Sequence, residues 1–488
     1  MSRVVVIGSG LSGLAAACHL IGQGHQVLVL ERESGPGGRG LRVEQEGFTF
    51  DLGPTVMTMP ELLDEPLRAA GSSQVEAVPM RRLDPAYRGR FADGSELRVR
   101  DSVEATAREV ERLAGPDDAR AVTELADVLR RLYEVELPHF IDQNYDSALD
   151  LLAHPLSALK LVRMGAFGTL EHLVNSRVSD PRVRRMLSFQ ALYAGLSPAE
   201  ALGVYAVITY MDTFRGVFLP EGGMGAIAAG MAGVVERQAS VVYDTTVTGL
   251  LRRADGSIAG VQTDGGPVAA DAVVCTLDLP TAYRLLLPDL PVPLALRKPV
   301  YSPSAVVWHV GVRGDLPDGA AHHNIHFGEA WEGCFSDLAA GRLMSDPARL
   351  VTISSLGEPR LAPEGAHTLY VLEPVPNLDG RVDWEAEREP VRQRLHDFLG
   401  REGYPDDVVT ERLVTPIEWE GLGMAAGTPF ALAHLFRQTG PFRPPNRERR
   451  VPGLFFAGSS TVPGVGVPMV LISGKLAAAR VRDWLGSR

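Results

Sequence analysis

A short stretch near the start of the chain constrains the fold more than any other feature. Four apolar residues, 4–7, lead directly into the run Gly8-Ser9-Gly10-Leu11-Ser12-Gly13. An apolar, helix-forming segment follows at 14–20, and residues 26–30 predict a second strand that Glu31 ends. Strand, glycine turn, helix, strand and acid in this order are typical of an α/β fold that binds a dinucleotide.

Each glycine of this run has its own predicted role. Gly8 permits the tight turn after the strand, Gly10 lets the backbone approach a pyrophosphate, and Gly13 lets the helix lie close to the sheet. The N-terminus of the helix offers free N–H groups and a partial positive charge to that pyrophosphate, and Glu31 can accept hydrogen bonds from a ribose. The predicted cofactor contacts in this segment are Gly8, Gly10, Leu11, Ser12, Gly13, Glu31 and Arg32.

Size and composition limit the classes of protein to consider. The chain has 488 residues, of which 45% are hydrophobic, and this predicts a globular protein of two or three domains. Its 48 basic and 60 acidic residues give a net charge of −12, which argues against a nucleic-acid partner. Cys18, Cys275 and Cys334 are far apart and indicate buried thiols in a reducing cytoplasm. We see no signal peptide and no apolar run of about 18 residues, so we expect no membrane-spanning segment.

The remaining elements predict a mixed α/β chain. Strands are expected at 48–54, in a hairpin over 87–99 with its turn at Asp93-Gly94, and at 241–247, 258–263, 271–276, 304–312, 350–355, 368–373 and 454–457. Helices are expected in 102–136, interrupted at Gly115-Pro116, over most of 149–196, and at 385–400 and 468–485.

A second glycine cluster, Gly37-Gly38-Arg39-Gly40, lies just past the ribose acid. Together with the opening motif and Glu31, it resembles the N-terminus of the FAD-dependent amine oxidase and carotenoid desaturase superfamily. The resemblance implies FAD rather than NAD as the cofactor. It also implies that the second cluster follows the phosphates and the ribityl chain.

Motifs near the C-terminus narrow the resemblance to bacterial phytoene desaturases. Residues 438–447, QTGPFRPPNR, and 463–468, PGVGVP, are the most specific of them, and 218–225, FLPEGGMG, is similar to the same family. The resemblance implies a Rossmann-like FAD-binding domain built from discontinuous segments, and an α+β substrate domain with a helical lid. The implied FAD segments are 1–75, 220–290 and 445–488; the substrate segments are 76–219 and 291–444, with a helical, membrane-facing part at about 102–215.

The resemblance also implies further FAD contacts, and a helix that begins near Pro468 and points its N-terminus at the flavin ring. Ser459 stands where many of these flavoproteins have an acid. The implied contacts are Gly37, Gly38, Arg39, Gly53, Pro54, Thr55, Val247, Gly458, Ser459, Gly466, Val467, Pro468 and Met469.

The implied reaction is desaturation of an apolar polyene, in which a hydride passes to flavin and a proton leaves the adjacent carbon. By resemblance Asp150 is the candidate for proton transfer, although Ala153 stands where a basic residue is expected, three positions further on. Glu221 and Glu418 are further candidate bases. Metal-ligand spacing is absent from the sequence, and we expect no metal at His322, His323 and His326. Since no second dinucleotide motif is present, oxygen or a membrane quinone is the expected electron acceptor.

Two interpretations stay open for residues 151–170, which contain no acid but carry Lys160 and Arg163. The segment is either a core-packing helix pair or an apolar patch, with Leu159 and Leu161 exposed, that docks on the inner face of the cell membrane. Other activities on the same fold also stay open: a carotenoid ketolase, an isomerase, a hydroxycarotenoid desaturase, or a non-enzymatic escort of prenylated proteins.

Overall fold

The computed structural model describes residues 1–487. The strands, in chain order, are β1 (Arg3–Ile7), β2 (Gln26–Leu30), β3 (Arg42–Gln45), β4 (Phe48–Asp51), β5 (Met80–Arg82), β6 (Tyr87–Phe91), β7 (Glu96–Val99), β8 (Phe218–Pro220), β9 (Ser240–Val242), β10 (Val247–Arg252), β11 (Ile258–Thr263), β12 (Gly266–Ala269), β13 (Ala272–Cys275), β14 (Ser304–Arg313), β15 (His323–Phe327), β16 (Arg349–Ile353), β17 (Ala366–Val375), β18 (Asp407–Val414) and β19 (Leu454–Phe456).

The α-helices are α1 (Leu11–Gly22), α2 (Pro60–Ala69), α3 (Gln74–Ala77), α4 (Val103–Ala114), α5 (Pro116–Glu136), α6 (Pro155–Arg163), α7 (Leu170–Asn175), α8 (Pro181–Met186), α9 (Ala206–Thr209), α10 (Gly225–Glu236), α11 (Leu279–Leu286), α12 (Trp331–Ala339), α13 (Ser354–Gly357), α14 (Trp384–Arg401), α15 (Pro416–Gly421) and α16 (Val467–Gly486). Two π-helical turns extend α5 and α9, at Leu137–Ile141 and Tyr210–Phe214.

A five-stranded parallel sheet in the order β19-β13-β1-β2-β9 forms the first core. Because side chains alternate along a strand, β1 serves both faces of this sheet. Val4 and Val6 pack with α1, α10 and α16 on one face. Val5 and Ile7 pack with α11 and the small antiparallel sheet β10-β11-β12 on the other. The parallel sheet is therefore covered on both sides, as its apolar strands require.

A seven-stranded mixed sheet, β18-β14-β17-β16-β15-β6-β7, forms the second core. Its neighbouring strands are antiparallel except β15 and β6, which run parallel. Helix α14 packs on one face through buried residues such as Trp384 and Leu395. The helical part between α4 and Phe214 packs against β6 and β15 in a separate large cluster.

The structure confirms the predicted fold class. The hairpin turns at Asp93-Gly94 as predicted, and α4 and α5 are separated at Gly115. The five-stranded sheet takes its strands from all three of the expected FAD segments.

The prediction of one strand over 241–247 is wrong. Residues 240–242 pair with β2 in the parallel sheet, whereas Val247 begins a strand of the small antiparallel sheet. Between them Asp244 adopts a left-handed conformation with φ of 49°, and Thr245 N–H donates to the Glu31 carbonyl at 2.8 Å. The turn redirects the chain from one sheet to the other, which the apolar pattern of the sequence does not indicate.

Candidate active site

One continuous cavity of about 790 Å³ extends from the glycine loops to the helical part of the molecule. At one end lie the loop after β1, the end of β2 and the C-terminal loop before α16. At the other end lie residues of α5, α6 and the π-helical turn at 210–214, together with β15, β16 and β17. The cavity therefore joins the parallel sheet to the second core.

The two glycine loops form one cradle. Gly10 and Gly37 pair as a parallel bridge, and a Cβ added at Gly10 would lie no closer than 3.8 Å to another heavy atom, the Gly38 Cα. Space for a ligand is therefore left beside the Gly10 backbone. The N-terminus of α1 has no side-chain cap, so its first N–H groups are available to a phosphate.

Gly13 has a different role from the rest of the motif. A Cβ at Gly13 would lie 2.1 Å from the Gly8 carbonyl oxygen, so only glycine allows α1 this close to the turn. Gly13 does not line the cavity, whereas the other predicted cofactor residues do. Those are Gly8, Gly10, Leu11, Ser12, Glu31, Arg32, Gly37, Gly38, Arg39, Gly53, Pro54, Thr55, Val247, Gly458, Ser459, Gly466, Val467, Pro468 and Met469.

Glu31 is buried at the end of β2, where it supports the glycine loop. One carboxylate oxygen accepts from Ser9 N–H at 2.6 Å and from the Ser9 hydroxyl at 2.9 Å, and the other accepts from Glu33 N–H at 3.0 Å. Three donors do not saturate a carboxylate, so Glu31 keeps an acceptor position for a ribose hydroxyl.

Two residues of the 438–447 motif hold the C-terminal loop in place. Arg443 is buried and donates to the carbonyls of Leu432, Gln438, Ser459 and Thr461, and burial lowers its pKa to about 10. Asn446 donates to the carbonyls of Phe456 and Val462. The motif is therefore structural here: its side chains fix the loop that precedes α16.

Asp278 is a cavity residue that sequence reasoning missed. It accepts from Arg39 at 3.3 Å and from the hydroxyl of Ser460, and it also accepts from Ala425 N–H at 2.9 Å. It ties the second glycine cluster to the C-terminal loop across more than 200 residues of chain. Such a contact has no local sequence signal.

None of the three carboxylates singled out as candidate bases lines the cavity. Asp150 caps a short 3₁₀ helix at the surface, and the backbone N–H groups of Asp146 and Ser147 hold its pKa below the usual value. Glu221 is exposed, and Glu418 belongs to a capping box at the start of α15. The catalytic role of Asp150 stays a prediction that this placement does not favour.

Two other carboxyl groups line the helical end of the cavity instead. Glu136, at the end of α5, is buried with Oε1 lacking a hydrogen-bond partner, and burial raises its pKa well above the usual range. Asp212 lies in the π-helical turn and is 2% exposed. Asp212 had a sequence signal, since it is the one acid in the apolar run 201–214, whereas Glu136 ends the polar helix α5 and had none.

Two of the three histidines have hydrogen-bond partners, whereas the buried His322 makes an edge-on ring contact with His323 and its Nδ1 has no partner. The ring nitrogens of His323 lie 3.0 Å from the Thr55 carbonyl oxygen and 3.2 Å from that of Ala86, and His326 contacts the Tyr404 hydroxyl at 3.0 Å. In the described part of the chain, no three His, Cys, Asp or Glu side chains are grouped so as to hold a metal ion. The three cysteines are buried and unpaired.

Residues 149–167 present apolar side chains on two sides. Leu149, Leu152 and Leu156 are 72%, 70% and 75% exposed, and Leu159 and Val162 are also exposed. Leu161 is instead buried and lines the cavity, so its predicted exposure is wrong. Within residues 1–487, no helix combines the length and apolar character needed to cross a bilayer.

Comparisons with known proteins agree with this geometry. Residues 11–482 match the family of flavin-containing amine oxidoreductases. The chain is 48% identical to a phytoene dehydrogenase of Streptomyces griseus, over 99% of this chain and 95% of that one. It is 36% identical to a zeta-carotene-forming phytoene desaturase of Myxococcus xanthus, over 99% and 94% of the two chains. Cyclohexylamine oxidase from Brevibacterium oxydans shares the fold, with a TM-score of 0.60 and 18% identity over 99% of both chains.

The chain belongs to the flavin-containing amine oxidoreductases. Within them it belongs to the bacterial phytoene desaturase type, and it is an FAD-dependent desaturase of carotenoid biosynthesis. The cradle fits FAD: the uncapped N-terminus of α1 and the free side of Gly10 suit a pyrophosphate, and Glu31 suits a ribose.

Proposed function

We propose that this enzyme removes hydrogen stepwise from a linear, phytoene-like hydrocarbon at the apolar end of the cavity. The observation that carries the proposal is the wall beyond the cofactor loops, which is dominated by aliphatic and aromatic side chains and suits a hydrocarbon. They include Phe140, Leu161, Phe167, Phe189, Leu192, Val204, Ile208, Met211, Ile325, Phe327 and Leu350.

Charged groups are few in this part of the described wall. Arg349 lines it, but its guanidinium is paired with the buried Glu373 at 2.7 Å. Glu136 and Asp212 are the acids there. A wall of this kind supports a substrate without charged groups, because a charged substrate would need a matching counter-charge in the cavity.

Bound FAD supplies the two-electron acceptor that takes the hydride. Gly8, Gly10 and the N-terminus of α1 would hold its pyrophosphate, and Glu31 its ribose. The uncapped N-terminus of α16, which follows Gly466, would face the ring and favour negative charge there. The apolar wall would exclude water and align the chain of the substrate, whose developing allylic cation is partly stabilised by its own double bonds.

The substrate would reach the cavity from the lipid phase through residues 149–167. Leu151, Ala158 and Leu161 of this segment line the cavity, whereas Leu152 and Leu156 face outward. Phe167 is 50% exposed and also lines the cavity, so it lies at a mouth. Exposed Lys160 and Arg163 would favour an anionic surface, and we propose peripheral binding to the inner face of the cell membrane.

The electron acceptor is proposed to be oxygen or a membrane quinone. The sequence has one dinucleotide motif after a predicted strand, and the cradle at Gly10 accounts for it. A nicotinamide co-substrate would therefore have no motif of its own.

Product analysis tests the proposed reaction. FAD-loaded enzyme is incubated with phytoene or diapophytoene in liposomes, with oxygen or a quinone. We expect products lighter by two mass units per step, with absorption shifted to longer wavelength as conjugation grows. A gain of oxygen would instead assign a ketolase, and an unchanged mass with altered retention would assign an isomerase.

A further inference from the structure

The proposed desaturation needs a group that accepts a proton beside the hydride-donating carbon. We propose that Asp212 is this catalytic base, and the inference rests on the proposed function. Asp212 lies on the cavity wall in a π-helical turn, a local geometry found often at functional sites. Phe189, Met211 and Tyr193 line the same wall, so Asp212 lies in the hydrocarbon part of the cavity.

The hydrogen bonds of Asp212 fix it as an acceptor. Tyr87 hydroxyl donates to Oδ2 at 3.0 Å, and Gln190 Nε2 and the Thr213 hydroxyl lie 3.2 Å and 3.1 Å from Oδ1. These three neutral donors hold the carboxylate in one orientation. They leave about one of its four acceptor positions for a proton from substrate.

The protonation state of Asp212 suits a base at neutral pH. Burial raises its pKa to about 7, and the three donors limit that rise. The titratable groups that face it are the phenols of Tyr87 and Tyr193, whose own pKa values burial raises, so they stay neutral. Glu136 differs, because burial raises its pKa well above the usual range and its buried Oε1 has no hydrogen-bond partner. Asp212 therefore has the hydrogen bonds that stabilise a carboxylate, and the Oε1 of Glu136 has none.

The step balances in atoms and electrons. Two C–H bonds break on adjacent saturated carbons. One hydrogen leaves as a hydride, for which FAD is the acceptor, and the other leaves as a proton to Oδ of Asp212. The electron pair of the second C–H bond becomes the new π bond, and Asp212 ends neutral.

The test compares Asp212→Asn with Glu136→Gln and Asp150→Asn. A general base contributes about 10²–10⁴-fold, so Asp212→Asn should lower the single-turnover rate at least about 100-fold with FAD content and melting temperature retained. The wild-type rate should rise with pH through about 7, as Asp212 loses its proton, and the residual rate of the variant should not. Asp212→Glu should recover part of the rate, and the two control variants should keep the wild-type pH profile.

An infrared titration of the protein without substrate gives a second readout. With ¹³C-labelled aspartate, the carbonyl stretch of a protonated carboxyl should disappear around pH 7 in wild type and be absent in Asp212→Asn. Absence of that titration, or a folded Asp212→Asn variant with the wild-type rate and pH profile, would overturn the assignment. Since the infrared signal needs no turnover, a protein that shows it but leaves phytoene unchanged would contradict the proposed function and not the titration of Asp212.

Discussion

The glycines of the opening motif act in physically different ways, although the sequence presents them as one pattern. Gly10 borders the cavity, and a Cβ there has free space in the protein itself. Gly13 borders a carbonyl oxygen, and a Cβ there would lie 2.1 Å from it. Substitution at Gly10 therefore affects the ligand, and substitution at Gly13 affects packing.

Two variants separate these roles. Gly10→Val should fill the space beside the pyrophosphate, so the protein should fold with a near-normal melting temperature and retain little FAD. Gly13→Ala should lower the free energy of unfolding by about 1–3 kcal/mol. The added Cβ would clash with the Gly8 carbonyl oxygen, and a backbone atom cannot rotate away as a side chain can. Flavin released by heat measures the FAD content, and a thermal melt of the apoprotein measures the stability.

Gly233→Ala, in the open middle of α10, is the control. It should leave the FAD content unchanged and should leave the stability unchanged or raise it. Full FAD occupancy in Gly10→Val would show that this loop does not hold the cofactor.

At the scale of elements, helix α6 has one side against the cavity and another side on the protein surface. Leu161 faces the cavity, and Leu156, Leu159 and Val162 face outward. An isolated exposed leucine needs no explanation, but several on one short segment that also borders a cavity mark a contact surface.

We expect the double variant Leu156→Glu with Val162→Glu to lose membrane binding. Each side chain contributes about 1.5–3 kcal/mol when buried in an apolar phase, so liposome partition should fall at least about tenfold. Co-sedimentation with anionic liposomes measures this partition. Val75→Glu is the control, since Val75 is equally exposed but lies on α3. Unchanged partition of a folded double variant would exclude this segment as the docking surface.

At the scale of the whole molecule, local signals led to residues that line the cofactor end of the cavity, whereas the acids singled out as candidate bases do not line it. The glycine loops, Glu31 and the loop before α16 have local patterns, because backbone geometry near a phosphate needs particular residues at fixed spacing. Asp212 is defined by burial and by Tyr87, which is 125 residues away in sequence. The family resemblance implied a role for Asp150, yet Asp150 belongs to the capping box of a surface 3₁₀ helix. Contacts between segments that are distant in sequence determine which acid lies at the cavity. The spacing of apolar residues along the chain does not indicate such contacts.

The most direct test of the central claim is the anaerobic reaction of the bound flavin with phytoene. FAD-loaded enzyme is mixed with phytoene in liposomes without oxygen or quinone, and flavin absorption and product mass are followed together. The account predicts that flavin absorption is lost while about one product molecule, two mass units lighter, forms per flavin. Cyclohexylamine, a primary amine, should leave the flavin oxidised. Reduction of the flavin by the amine but not by phytoene would contradict the assignment as a polyene desaturase and would show an amine oxidase on the same fold.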